Sequence, residues 1–184
     1  MLSVSLHHSP VLPWFLPGVA IAVIVSIAAS DVVGRALRVR RLVAWAMVLS
    51  LGVILAATMT PQWEALAFGA KGSSSCDFSR IGLAPLREYL RFGDTSGNVL
   101  LFIPLGVTIA LVPRSRRKAV VLIAAIALPF AIEITQMLLP ILDRACESAD
   151  VVDNLTGLVV GLAGGLSGGV VAGRLARAAH QQPE

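Results

Sequence analysis

Charge is scarce in this chain. Only 14% of its 184 residues are Asp, Glu, Lys or Arg, while 56% are hydrophobic and the mean hydropathy is +0.80. A domain of this size has no interior large enough to hide that much apolar surface from water, so a soluble globular fold is excluded and lipid is the implied solvent. Cysteine is nearly absent, with two residues, Cys76 and Cys146. Neither has a neighbouring His or second Cys, which argues against a zinc site. The three histidines (His7, His8 and His180) stand far along the chain from Glu133, Asp150 and Asp153, and no phosphate loop, nucleophile pair or His-based metal motif is present.

What the chain has instead is length almost without charge. Runs of about 20 residues, enough to cross ~30 Å of hydrocarbon, extend over residues 11–30, 42–60, 95–112, 119–142 and 155–173. They predict an all-α polytopic membrane bundle of about five transmembrane helices, with residues 1–184 forming a single membrane domain. The first run has only His7 and His8 before it and Arg35, Arg38, Arg40 and Arg41 after it, which is the reverse of a cleaved signal peptide, so it is expected to stay as a helix.

Ten of the fifteen Lys and Arg residues fall after the first run, after the third ("RSRRK", Arg114 to Lys118) and in the tail (Arg174, Arg177). With five spans these segments share one side. The positive-inside rule makes that side cytoplasmic, with the N-terminus outside and the C-terminus inside. The net charge of +4 is then a matter of topology and anionic lipid, not of nucleic-acid binding. The two remaining loops, Pro61 to Asp94 and Asp143 to Asn154, are extracytoplasmic and carry one cysteine each, either a disulfide clamp on the oxidising side or two free thiols.

Inside the fourth run stands "EITQ", residues 133–136. Counted back from Asp143 along a helix, Glu133 lies roughly 15 Å below the outer surface. A carboxylate facing lipid there costs about 2.5 kcal/mol or more, so Glu133 is expected to face the bundle interior, with Gln136 one turn along on nearly the same face. Pro129, four residues before it, loosens the local hydrogen-bond ladder.

Candidate partners follow in "DRACESADVVDNLTG". If the last helix starts early, Asp150, Asp153 and Asn154 share one face; alternatively Asp150 caps that helix. Arg144, among Asp143, Glu147, Asp150 and Asp153, would pair internally or hold a phosphate through both arms of its guanidinium. Asn98, near the outer end of the third run, caps a helix or bonds across to another. Further on, Gly157, Gly161, Gly165, Gly169 and Gly173 recur every fourth residue, a stripe that favours close helix packing in lipid.

The segments "GNVLLFIPLG", "EITQMLLP" and "RACESADVVDNLTGLVVG", in that order, resemble the VanZ-like family of bacterial membrane proteins, and "IGLAPLREYL" is similar to the family's loop before its Asn helix. The resemblance covers about residues 78–165. It implies a multi-helix protein of the bacterial cytoplasmic membrane and marks Asn98, Glu133, Gln136, Arg144, Asp150, Asp153, Asn154 and Gly157 as family-type positions. The family takes its name from a member associated with low-level teicoplanin resistance, and no settled reaction comes with it.

Three readings follow. In the first, an outward-facing polar pocket holds a lipid or cell-wall precursor head group, with Arg144 on its anion and Asn98, Gln136 and Asn154 orienting it. In the second, Glu133 works with Asp150 or Asp153 as acid and base, or these oxygens hold Mg²⁺ or Ca²⁺. In the third, the glycine stripe packs against a membrane-protein partner or a second copy of the chain, and the polar groups set helix register.

Overall fold

In a computed structural model of the chain, residues 14–61, 68–69 and 75–179 are described, the last ten of them as backbone only. His7, His8, His180, the expected start of the first helix at Val11 and the surroundings of Gly173 lie outside the described residues.

The long helices are α1 (Phe15–Leu37), α2 (Arg41–Thr58), α4 (Asp94–Ala110), α5 (Arg116–Leu138) and α6 (Ser148–Ala179). A short helix, α3 (Leu86–Tyr89), precedes α4, and two-residue strands β1 (Cys76–Asp77) and β2 (Cys146–Glu147) pair in parallel, a small addition to the expected all-α architecture. Among the described residues, four helices are long and apolar enough to cross a membrane: α1, α2, α5 and the Ser148–Gly169 part of α6. The fifth expected span, α4, is apolar but has 17 residues, about 25 Å of helix. The chain is a helical membrane protein, and its large exposed side chains, such as Ile24, Ile123, Phe130 and Ile134, are those that hydrocarbon solvates.

Helix ends follow local chemistry. Ser115 caps α5 by accepting from the Lys118 N–H at 3.2 Å. The helix stops at Leu138, four residues short of the expected Leu142, because Leu139 precedes Pro140 and is pushed out of the helical region, at φ −117° and ψ 75°. A single 3₁₀ turn, Pro140–Leu142, follows, and Asp143 then takes the left-handed conformation at φ 51°, which reverses the chain. Helix α6 begins at Ser148 rather than Leu155, so Asp150, Asp153 and Asn154 are helical. Helix α4 runs straight through Pro104 from Asp94, and Asp31 and Arg35 lie within α1, which extends to Leu37.

The closest pair is α4 with α6. A Cβ placed on Gly157 would overlap the Val99 carbonyl, one on Gly161 the Ile103 carbonyl, and one on Gly165 the Ala110 side chain and Val107 carbonyl. Both series climb together, so the two helices run parallel with their backbones in contact, as small residues permit in lipid. The expected stripe ends there: Gly169 meets open space, because α4 finishes at Ala110 and no longer lies opposite it. Helices α1 and α2 form an antiparallel hairpin in which Gly18 meets Ala56 and Gly52 meets Ala22. A core of Met47, Ile54, Phe102, Ile109, Ile132 and Leu158 joins α2, α4, α5 and α6.

The two ends of the bundle differ in chemistry. At one, Arg117 donates to the Ala36 carbonyl and Lys118 Nζ to the Ala110 carbonyl at 2.9 Å, which brings the basic segments after α1 and after α4 together. The parallel course of α6 directs its C-terminus to that same end. At the other lie the cysteines and the acidic side chains singled out above.

Candidate functional site

Two segments close the acidic end. Cys76 and Cys146 form a disulfide with their Cα atoms 4.5 Å apart, and Cys76 pairs with Cys146 and Asp77 with Glu147 in the β1–β2 ladder. This settles the alternative left open by the sequence in favour of the bond. It also ties the chain before α3 to the reversed segment between α5 and α6.

That segment folds back into the bundle. The Glu147 N–H donates to Glu133 Oε2 at 2.8 Å, so the carboxylate inside α5 is met by backbone from the connecting loop. Glu133 is 5% exposed and faces inward as expected. With α5 ending at Leu138, however, it stands about 7 Å from the helix end, half the depth counted from Asp143.

Gln136, 4% exposed, donates from Nε2 to the Thr58 carbonyl at 3.0 Å, and Arg144 donates from Nη2 to the Ala57 carbonyl at 2.8 Å. Both therefore satisfy the last turn of α2, whose carbonyls have no partner within their own helix. Gln136 Oε1 and Arg144 Nε are buried and have no hydrogen-bond partner. Burial lowers the Arg144 pKa from its ordinary value, against the opposing pull of Asp150, Asp94 and Glu133.

A polar cavity of about 340 Å³ opens beside these groups. Asn98, Gln136, Arg144 and Asp150 line it, together with Asp94, Gly97, Ala145 and Glu147. Asn98 lies inside α4 rather than at its cap and stands with Asp150 on the cavity wall where α4 meets α6. On the far side of Glu147 lies an apolar groove of about 400 Å³ between α5 and α6, lined by Phe78, Ile81, Phe130, Ile134, Val151 and Leu155, with Glu133 at its inner wall.

Asp153 and Asn154 are not among the residues lining that cavity. Asp153 is 1% exposed and is gripped by both arms of Arg80, at 3.0 Å from Nη1 and 2.5 Å from Nη2. The hydrogen bond to Asp153 raises the Arg80 pKa above its ordinary value. Arg80 also donates to the Gly82 and Ala149 carbonyls, and its own carbonyl accepts from the Ser148 hydroxyl. The partner of Asp153 is thus Arg80 from the first loop, not Arg144. Asn154 is 1% exposed, and its Oδ1 has no hydrogen-bond partner.

Arg80, Asp94 and Glu147 are the site residues that the sequence reading did not select. The signal for Arg80 was its place four residues after Cys76, in a loop tied to the Cys146 segment. Among the described residues, no group of three or more His, Cys, Asp and Glu side chains is placed to hold a metal ion.

A family model described as VanZ/LLP1 matches residues 42–166. The match takes in α2, which lies upstream of the recognisable motifs. Comparison with curated proteins and with solved structures gives no match.

Proposed function

The chain belongs to the VanZ-like family, and from that premise we propose that it is an envelope protein whose acidic end faces outward and binds the head group of a lipid or lipid-linked cell-wall precursor. One observation carries the reading. A polar cavity and an apolar groove share Glu147 as their common wall, which suits a molecule with a polar head and a hydrocarbon tail. Arg144 takes the anion of the head group, with Asn98 and Gln136 orienting it. Glu133 shapes the wall through its bond to Glu147. On this reading the N-terminus is outside, the basic end lies in the cytoplasm of a bacterial cell, and any effect on teicoplanin-type glycopeptide susceptibility acts through the bound precursor.

The test is saturable binding of lipid-linked cell-wall precursors and anionic phospholipids to purified wild type, Glu133→Gln and Arg144→Ala, compared at matched folded stability. The expected result is binding by wild type that is lost in Arg144→Ala and weakened in Glu133→Gln. No binding by a folded wild type would overturn the proposal.

A second reading is favoured by a separate observation. Gln136 and Arg144 both cap α2, and Arg80 neutralises Asp153, so the polar groups would serve as a network that fixes helix register. On that reading both variants lose stability and no ligand is bound. An acid–base pairing of Glu133 with Asp153 is poorly supported, since Arg80 occupies both oxygens of Asp153.

A further inference from the structure

The walls of the polar cavity are unbalanced in two ways. Three carboxylates, Asp94, Glu147 and Asp150, face one guanidinium, Arg144. A purely anionic head group would reach Arg144 only by entering a field that the carboxylates dominate. The second imbalance is in hydrogen bonds. Gln136 is more than nine-tenths buried and lines the cavity, and its Nε2 is committed to the Thr58 carbonyl, which leaves Oε1 as an acceptor without a donor. Arg144 commits Nη2 to the Ala57 carbonyl, which leaves Nε as a donor without an acceptor. Buried groups of this kind are usually satisfied, so the wall around Gln136 and Arg144 is polar and incompletely paired, and it suits an occupant that carries both an acceptor and a donor.

A phosphodiester alone supplies the acceptor and not the donor. An alkylammonium supplies the donor and suits the carboxylates, yet leaves Arg144 unmatched. A head group with both charges meets both needs: its phosphate is drawn to the Arg144 guanidinium, and its ammonium sits among Asp94, Glu147 and Asp150. We infer that the cavity selects a zwitterionic, primary-amine-bearing phosphate head group of the phosphoethanolamine type, over a purely anionic one. This inference rests on the head-group site proposed above and narrows it to a chemical class.

Competition against a fluorescent phosphatidylethanolamine bound to the full-length protein in nanodiscs tests it. The unlabelled probes are phosphatidylethanolamine, N-acetyl-phosphatidylethanolamine (the same phosphate and chains without the ammonium), phosphatidylglycerol, and soluble glycerophosphoethanolamine. Wild type is expected to prefer phosphatidylethanolamine over the acetylated lipid and phosphatidylglycerol by roughly tenfold or more, which corresponds to about 1.4 kcal/mol. Asp150→Asn and the exposed Asp94→Asn, which leaves the core untouched, are each expected to shrink that preference to roughly threefold without weakening phosphatidylglycerol.

Equal competition by the acetylated lipid would overturn the ammonium inference and leave the head-group site standing. Absence of saturable binding by every lipid would overturn both. Displacement by glycerophosphoethanolamine as effective as by the whole lipid would support the ammonium inference and remove the role of the hydrocarbon chain.

Discussion

Arg80 and Asp153, 73 residues apart in sequence, are joined by two parallel hydrogen bonds at the N-terminal end of α6. The guanidinium is partly open to solvent while the carboxylate is buried. Removing the cation alone therefore strands a charge in the protein interior.

Arg80→Ala is expected to destabilise the fold by about 3 kcal/mol, while Arg80→Ala combined with Asp153→Asn recovers a large part of the loss. Thermal unfolding in detergent measures both. Equal melting temperatures for the single variant and wild type would show that the pair contributes nothing.

The α4–α6 contact makes a prediction that separates glycines of identical spacing. Gly161→Ala sets a methyl against the Ile103 carbonyl and is expected to cost about 2 kcal/mol, whereas Gly164→Ala and Gly168→Ala point into open space and are expected to be neutral or slightly stabilising. Steric trapping or detergent unfolding of the three variants distinguishes them. A tolerated Gly161→Ala would mean that the helices stand further apart than described.

The disulfide closes 70 residues of chain, so Cys146→Ser is expected to lower stability by about 2–4 kcal/mol. Wild type should resist maleimide until a reductant is added and then take up two labels. Labelling of native protein without reductant would contradict the bond.

The disulfide also leaves the native cysteines silent in an orientation assay. Ser79→Cys, at the acidic end, is expected to react with a membrane-impermeant maleimide on intact cells, and Ser115→Cys, in the basic segment before α5, only after permeabilisation. Both side chains are exposed. The reverse pattern would invert the proposed topology.

Part of this arrangement was legible in the sequence because lipid makes polar residues conspicuous. Glu133 and Gln136 stood out of an apolar run, and Gly157, Gly161 and Gly165 announced a contact by their spacing. The exhaustion of that contact at Gly169 was not legible, since it depends on where α4 stops. The end of α5 was encoded by Pro140 and passed over by counting apolar residues alone. The start of α6 at Ser148 was one of two alternatives that the sequence left open. Counting charge-free residues places Asp150 and Asp153 outside a helix, yet Arg80 from a distant loop neutralises Asp153, and no local pattern marks such a pairing. Arg144 was recognised, but its tie to the Ala57 carbonyl is tertiary and leaves no trace in residue spacing.

The intimate pairing of α4 with α6 bears on how the protein is made. These helices touch backbone to backbone, and α5 lies between them in sequence. As segments leave the ribosome in order, α4 is made before its partner exists, and its small-residue face at Gly106 waits while α5 is made and turns back antiparallel to it. Only the arrival of α6 closes that face and brings Asp150 beside Asn98. The polar cavity therefore has no complete wall until α6 is in place: a chain arrested before residue 144 lacks Arg144, Glu147 and Asp150.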